Sequence, residues 1–538
     1  MKSSYGDGNK MTKKTFPWKI IVYIFFGLIF SFAAALLSVC VWYKNTFGVE
    51  FKTLLYVLSS PLKGTGAETI REIIAVTVPA AIAAAIVYAV PAVLVYRLAS
   101  PDRARPCRWL ERVGALLICA SLIFSAVFGV YALGIPKYIE LTRGETGFYE
   151  EYYISPDEVS VTSDGETKNL IYIYLESMES TYASVEDGGK QPENYIPYLT
   201  SLAAENISFT EKEDGRLGGF VTLAGTDWTV AALLATSAGI PFSFPLGENG
   251  NNAMNKQEYF ASGLITLGDI LSEKGYRQMF LCGSDAAFGG RDKYYTQHGN
   301  HEIYDLDSAR EDGVVAADYH NGFWGIEDYI LFDIAKTKLT ELAEGDEPFN
   351  LTMLTVDGHH NGGFRCKYCG DDYKELSERW HQTANVVTCQ DGLMEQFLGW
   401  CAEQDWYEDT VIVISGDHPR MDPRLVSKVP YEERTVYNCF INAAKEPGKT
   451  GMAGEVGRAW TPFDMFPTTL AAMGFDVIGG RLGLGTDMFS GLPTLSEQIG
   501  MDVLETEIQK YSSYYVNTFS PELSGKETAA ETETTEWG

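Results

Sequence analysis

The sequence predicts an α/β protein carried on N-terminal transmembrane helices, with a mostly parallel sheet sandwiched by helices. Three observations predict it. Long apolar stretches cluster at the N-terminus, over about 17–43, 73–96 and 113–134. Beyond residue 168, short apolar strand-like runs alternate with helical patterns, the signature of a parallel sheet with helices on both faces. Four of those runs end directly in polar clusters: Asn169–Leu175 before Glu176, Tyr276–Leu281 before a loop with Asp285 and Arg291, Phe349–Val356 before Asp357-Gly-His359-His360, and Thr410–Ser415 before Gly-Asp417-His418. Sites in open α/β sheets form outside the carboxyl ends of strands, so these groups are expected on one rim.

Each apolar stretch matches the roughly 20 residues that cross a bilayer as a helix. The first is too long for a signal-peptide core and lacks a small-residue cleavage site. Lys10, Lys13 and Lys14 precede it and Lys19 stands at its start, and Arg97, Arg103, Arg105, Arg108 and Arg112 lie between the second and third. Positive charge marks cytoplasmic segments, so everything after about residue 135 is expected outside the cell membrane. That part carries most of a net charge of −30. Such a balance argues against nucleic acid as a partner and against adhesion to anionic headgroups; any anionic substrate needs local positive charge.

The expected order is a cytoplasmic tail (1–16), a three-helix membrane anchor (17–135), a polar connector (136–167), a catalytic domain (168–492), a C-terminal helix (493–518) and a disordered acidic tail (519–538). Leu264–Lys274 and Val386–Glu403 read as helices preceding strands. Of nine cysteines, Cys40 and Cys119 fall in membrane spans, Cys107 in the cytoplasmic loop, and Cys282 and Cys439 after apolar runs. Cys366-Lys-Tyr-Cys369 is half a zinc site. In an oxidising exterior the expectation is a disulfide from this pair to Cys389, with Cys366–Cys389 as the pairing.

For each candidate residue two readings stand. Asp417-His418 can bind one divalent ion together with Glu176, or be a solvated acid, a capping imidazole and an exposed acid. Thr229, in Gly225-Thr-Asp-Trp-Thr229, can be a helix N-cap or a nucleophile placed where phosphate binds well. His359 can assist a leaving alkoxide or fill a loop hydrogen bond. Arg291 can grip phosphate with its planar fork or pair with Asp292. His298, His301, His320 and His381 lack strand-end placement.

Taken in order, Leu-Glu176-Ser, Gly-Thr-Asp-Trp-Thr229, Arg291-Asp, Asp-Gly-His359-His360 and Ser-Gly-Asp417-His418 resemble the lipoteichoic acid synthase/phosphoglycerol transferase I family of the alkaline phosphatase/sulfatase superfamily. Leu482-Gly-Leu-Gly-Thr-Asp-Met-Phe-Ser-Gly491 and Tyr149-Glu-Glu-Tyr-Tyr-Ile-Ser-Pro are similar too. The resemblance implies that Glu176, Thr229, Asp417 and His418 hold one divalent metal ion, Mn²⁺ first, with Mg²⁺ or Zn²⁺ as alternatives. It implies Thr229 as the nucleophile and Arg291 and His359 as the grip on glycerophosphate. It further implies a membrane-anchored transferase moving glycerophosphate from phosphatidylglycerol to a glycan or polyglycerophosphate acceptor. The alternatives are a metal-dependent phosphodiesterase or other sulfatase-like hydrolase, and a phosphoethanolamine transferase. Two departures stand out: Gly289 replaces a Trp of lipoteichoic acid synthase, and three spans replace five. No Cys/Ser-x-Pro-x-Arg motif of the sulfatase branch follows Thr229.

Overall fold

The computed structural model describes residues 18–47, 67–98, 104–244 (except 164 and 166), 254–446 (except 423) and 456–524. Contacts divide the chain into two compact units, Met1–Asn45 with Ile70–Ile135 and Thr46–Thr69 with Pro136–Gly538. In the first, Trp18–Phe47, Ala67–Leu98 and Ala104–Ala132 are helices. Within them Ile21–Lys44, Ile73–Pro91 and Arg112–Ala132 are long and apolar enough to cross a membrane. Apolar side chains such as Leu28, Val87 and Leu116 are exposed along them, as suits a bilayer solvent. The expected cytoplasmic tail, with Lys10, Lys13 and Lys14, and Arg103 lie outside the described residues.

The second unit is built on a six-stranded sheet. Its strands are β1 (Asn169–Leu175), β2 (Arg277–Cys282), β3 (Glu302–Tyr304), β4 (Phe349–Leu354), β5 (Thr410–Gly416) and β6 (Asn438–Ile441). Their order is β3-β2-β4-β1-β5-β6, all parallel except β6. The short edge strands β3 and β6 carry too little pattern to be read from sequence.

Both faces of the sheet are buried, and residue parity decides the face. Leu170, Tyr172 and Tyr174 of β1, with Val411 and Val413 of β5, pack on the side of the helices Thr229–Ala238 and Met465–Ala472. Ile171, Ile173 and Leu175, with Ile412 and Ile414, pack on the side of Asp328–Ala343 and Glu378–Cys401. The register pairs Leu175 with Gly416, so β1 and β5 end at one level.

Three expectations are corrected. The connector is not a polar linker alone: Phe148 and Tyr149 are buried, Tyr149 packs its ring 5.1 Å from Tyr515, and Val161–Thr162 pairs with Asp476–Val477. The single C-terminal helix is three, Leu495–Ile499, Met501–Ile508 and Ser513–Phe519. Gly500, at φ +90°, breaks the first from the second, and Ser512 recaps the chain by accepting from the Tyr515 N–H. The tail does not begin at 519, because Phe519 is buried and Pro521–Leu523 forms a 3₁₀ turn; the positions beyond 524 lie outside the described residues.

Asp391, on the helix Glu378–Cys401, reaches the N-terminus of the helix Pro197–Glu205. Its carboxylate accepts from the Tyr198 and Leu199 N–H groups at 2.9 and 2.8 Å. Those donors have no partner within their own helix. Asp391→Ala therefore lowers stability by about 1–3 kcal/mol, read as a drop in thermal midpoint, and Asp391→Asn, which keeps one acceptor, lowers it less.

Candidate active site

Parity and register carry two carboxylates to one place. Glu176 follows Tyr174 on the face covered by the helix Thr229–Ala238. Asp417 follows Val413 and Ser415 on the same face of the neighbouring strand. Ser177 locks the pair: at φ 58° its N–H donates to Asp417 Oδ1 (2.7 Å) and its hydroxyl to Glu176 Oε1 (2.7 Å). Asp357, in step with Leu351 and Met353, goes to the opposite face. There Asp357 accepts from the Asp328 N–H at 3.1 Å.

The helix carrying Thr229 begins after a turn closed by Thr226, whose hydroxyl donates to the Leu223 carbonyl and accepts from its N–H. Gly225 sits at φ +78° where a Cβ would lie 2.9 Å from the Phe242 carbonyl oxygen. Trp228, not Thr229, is the N-cap residue. The Thr229 hydroxyl is thus free of the capping role, and stands 3.4 Å from Glu176 Oε2 and 3.3 Å from His418 Nε2.

His418 Nδ1 lies 2.9 Å from the Pro419 carbonyl oxygen, which assigns the hydrogen to Nδ1 and leaves Nε2 as a lone pair facing the site. Glu176, Asp417 and His418 are all buried, and one ligand atom from each lies within 4.8 Å of the others. Asp417 Oδ2 is buried without a hydrogen-bond donor and faces the His418 Nε2 lone pair at 3.3 Å. Burial and then the Glu176 charge push Asp417 up to about 7. Burial opposes charge on His418, but the Asp417 and Glu176 carboxylates outweigh it and raise its pKa. Two adjacent buried acids with an orphan oxygen, beside an imidazole lone pair and a hydroxyl, fit one divalent cation.

His359 lies close enough to this cluster to feel the Glu176 and His418 charges, and the loop carrying Arg291 packs against the start of the Thr229 helix. The His359 ring lies 4.1 Å from Trp324 between centroids, and its Nδ1 lies 2.8 Å from the His360 carbonyl oxygen. Burial lowers its pKa, against the pull of the Glu176 charge. Arg291 is buried, donating to the Phe288 carbonyl (3.0 Å), Ser284 Oγ (3.0 Å) and the Asp285 carbonyl (2.7 Å), not to Asp292. Its loop packs against the first turn of the Thr229 helix, since a Cβ on Gly289 would lie 2.6 Å from Val230 Cγ2. That contact explains why glycine, and no large ring, stands at 289. Trp324 links the two loops, with its ring 5.7 Å from Phe288 and 4.1 Å from His359.

A buried ion network not read from the sequence fixes the loops beneath. Arg420 grips Asp422 with two bonds, 2.8 and 3.0 Å, and donates to the Gly358 carbonyl at 2.9 Å. Asp422 also accepts from the Gly362 N–H at 2.8 Å. Glu179 accepts from the Arg420 N–H (2.8 Å) and from the Arg434 guanidinium. The loops after β1, β4 and β5 are thereby tied together. The signal lies in Asp417-His-Pro-Arg420-Met-Asp422, too many charges for a loop that must stay dry. His298 and His301 are buried and bonded to the Phe260 and Tyr295 carbonyls, in keeping with their lack of strand-end placement. Cys366 and Cys389 do meet, but as thiols 3.7 Å apart, not as a disulfide, with Cys369 beside them.

Phosphoglycerol transferase I of Shigella flexneri is 30% identical over 345 residues, 64% of this chain and 41% of that protein. The enzyme of the same name from Escherichia coli (strain 55989 / EAEC) is 31% identical over the same length. The chain thus spans 41% of the length of these curated relatives. The crystal structure of the lipoteichoic acid synthase LtaP from Listeria monocytogenes superposes with a TM-score of 0.50 at 18% identity, covering 67% of this chain and 96% of that one, a likeness of fold. The sulfatase family model matches residues 168–475, more than half of the sequence and all six strands of the sheet, so the chain belongs to the sulfatase family.

Proposed function

We propose that this protein is a membrane-anchored phosphoglycerol transferase. The observation that carries the reading is the Thr229 hydroxyl held 3.3–3.4 Å from His418 and Glu176, beside Asp417 with its orphan oxygen. Glu176, Asp417 and His418, with Thr229, are the residues that would hold one divalent cation; the oxygen-rich set suits Mn²⁺ as well as Mg²⁺ or Zn²⁺. When bound, that cation lowers the pKa of a ligated hydroxyl and offsets charge on phosphoryl oxygens.

Thr229 Oγ1 attacks the phosphorus of phosphatidylglycerol, and its proton leaves toward Glu176. The bond from phosphorus to the diacylglycerol oxygen breaks, leaving glycerophosphate on Thr229. Arg291, already fixed by three bonds, presents its remaining donor capacity to the equatorial oxygens. The proton that Thr229 passes to Glu176 goes on to the departing diacylglycerol oxygen; His359, with Nδ1 committed to a carbonyl, offers the Nε2 lone pair that takes the proton of the incoming hydroxyl in the second half-reaction and returns it to Thr229 Oγ1. A hydroxyl of a glycan or polyglycerophosphate then takes the group from Thr229. The three apolar helices hold the site near its lipid donor, and the basic N-terminal segments support an extracytoplasmic catalytic domain. A single imidazole in the cation set favours this reading over a two-metal phosphoethanolamine transferase.

Four measurements test it. Full-length protein mixed with phosphatidylglycerol and no acceptor yields a glycerophosphate adduct on the Thr229 peptide by mass spectrometry, and adding glycan clears it. Thr229→Ala abolishes the adduct and cuts turnover by roughly three orders of magnitude; persistent turnover removes Thr229 from the role. Arg291→Lys keeps the charge but loses the fork, lowering kcat/KM about 10- to 100-fold, with phosphatidylglycerol titrations as the readout. Glu176→Gln weakens Mn²⁺ binding by calorimetry, whereas an unchanged affinity would exclude Glu176 as a ligand.

A further inference from the structure

A second cluster of ligand-type side chains lies apart from the candidate active site. Cys366 and Cys369 sit in the loop between β4 and the helix Glu378–Cys401, and Cys389 projects from that helix. One sulfur from each lies within 4.8 Å of the others. Cys366 Sγ is 3.7 Å from Cys389 Sγ and 3.8 Å from Cys369 Sγ. Two thiolates at the vertices of a tetrahedron around zinc, with Zn–S bonds of about 2.3 Å, are about 3.8 Å apart. A disulfide would use only two of the three sulfurs and needs them at about 2.05 Å.

The backbone is shaped for the same purpose. The Cys369 N–H closes a turn onto the Cys366 carbonyl at 3.2 Å, and the Tyr368 N–H points at Cys366 Sγ at 3.4 Å. A backbone donor aimed at sulfur favours the thiolate form. The loop is docked on the helix independently of the sulfurs: Asn385 bonds both the N–H and the carbonyl of Asp372, at 2.9 and 2.8 Å. Cys366 is buried while Cys369 and Cys389 are half-buried, so one side of the triangle is open to water. Among the described residues no fourth Cys, His, Asp or Glu joins the set.

We propose that Cys366, Cys369 and Cys389 bind a soft divalent cation, zinc by preference, with three thiolates and a water in the fourth position. Three thiol protons are released on binding and no redox change is required. The ion clamps the loop that leaves His359, since Phe364 in the same loop donates to the Asp357 carbonyl at 2.7 Å. Its role is to hold that loop on the helix.

The test uses full-length protein purified anaerobically without reductant. Metal-free protein loaded with Co²⁺ gains sulfur-to-cobalt charge-transfer absorption in the near ultraviolet. That band is lost in Cys369→Ser and kept in Asp417→Asn, which alters only the oxygen-rich site. Thiol-specific alkylation of the zinc-loaded protein releases about one equivalent of zinc. Absence of the band in wild-type protein overturns the proposal. So does a non-reducing peptide map of the as-purified protein showing any two of these cysteines joined, a readout that does not depend on whether a variant folds.

Discussion

The structure depends on a costly juxtaposition: two carboxylates, Glu176 and Asp417, buried side by side where neighbouring parallel strands end. Taking one ionised group out of water costs several kcal/mol even after relaxation, and like charges add to the cost. The fold sustains the arrangement through the Ser177 N–H and hydroxyl and the His418 imidazole, yet leaves one Asp417 oxygen without a donor. That imbalance of negative charge is what a cation corrects. The position of Thr229 and the orientation of His418 follow from the same cluster.

Geometry of this kind needs the register as much as the residues. β1 and β5 pair Leu175 with Gly416, so the next residue of each strand emerges at one level. A slip by one residue would send one carboxylate to the other face of the sheet. The ion network of Glu179, Arg420, Asp422 and Arg434 then holds the three strand-end loops in place. Buried ion pairs add little net stability, but removing one partner is severe, which suits a framework that must keep one conformation.

Much of this is legible in the residues themselves. The core strands are apolar runs bounded by polar clusters, and the strand-end rule points to Glu176, His359, Asp417 and His418 directly. Thr229 is ambiguous in sequence because a hydroxyl at a helix start serves equally as a cap; only the backbone at Trp228 separates the two. The edge strands β3 and β6 escape detection, being three and four residues long. The connector and the C-terminal helices defeat a local reading because Tyr149 and Tyr153 pack on Tyr515 and Phe519 across more than 350 positions, a contact no local pattern encodes. The cysteine triangle is half-visible: the Cys-x-x-Cys pair shows, but its third member comes from a helix twenty residues on.

If Glu176, Asp417 and His418 surround one cation next to the Thr229 hydroxyl, anomalous diffraction from crystals of the protein grown with Mn²⁺ will show it most directly. The expected result is a single strong manganese peak within coordination distance of all three side chains and of Thr229 Oγ1. A site that stays empty at saturating Mn²⁺, or a peak that excludes Asp417, would contradict the assignment.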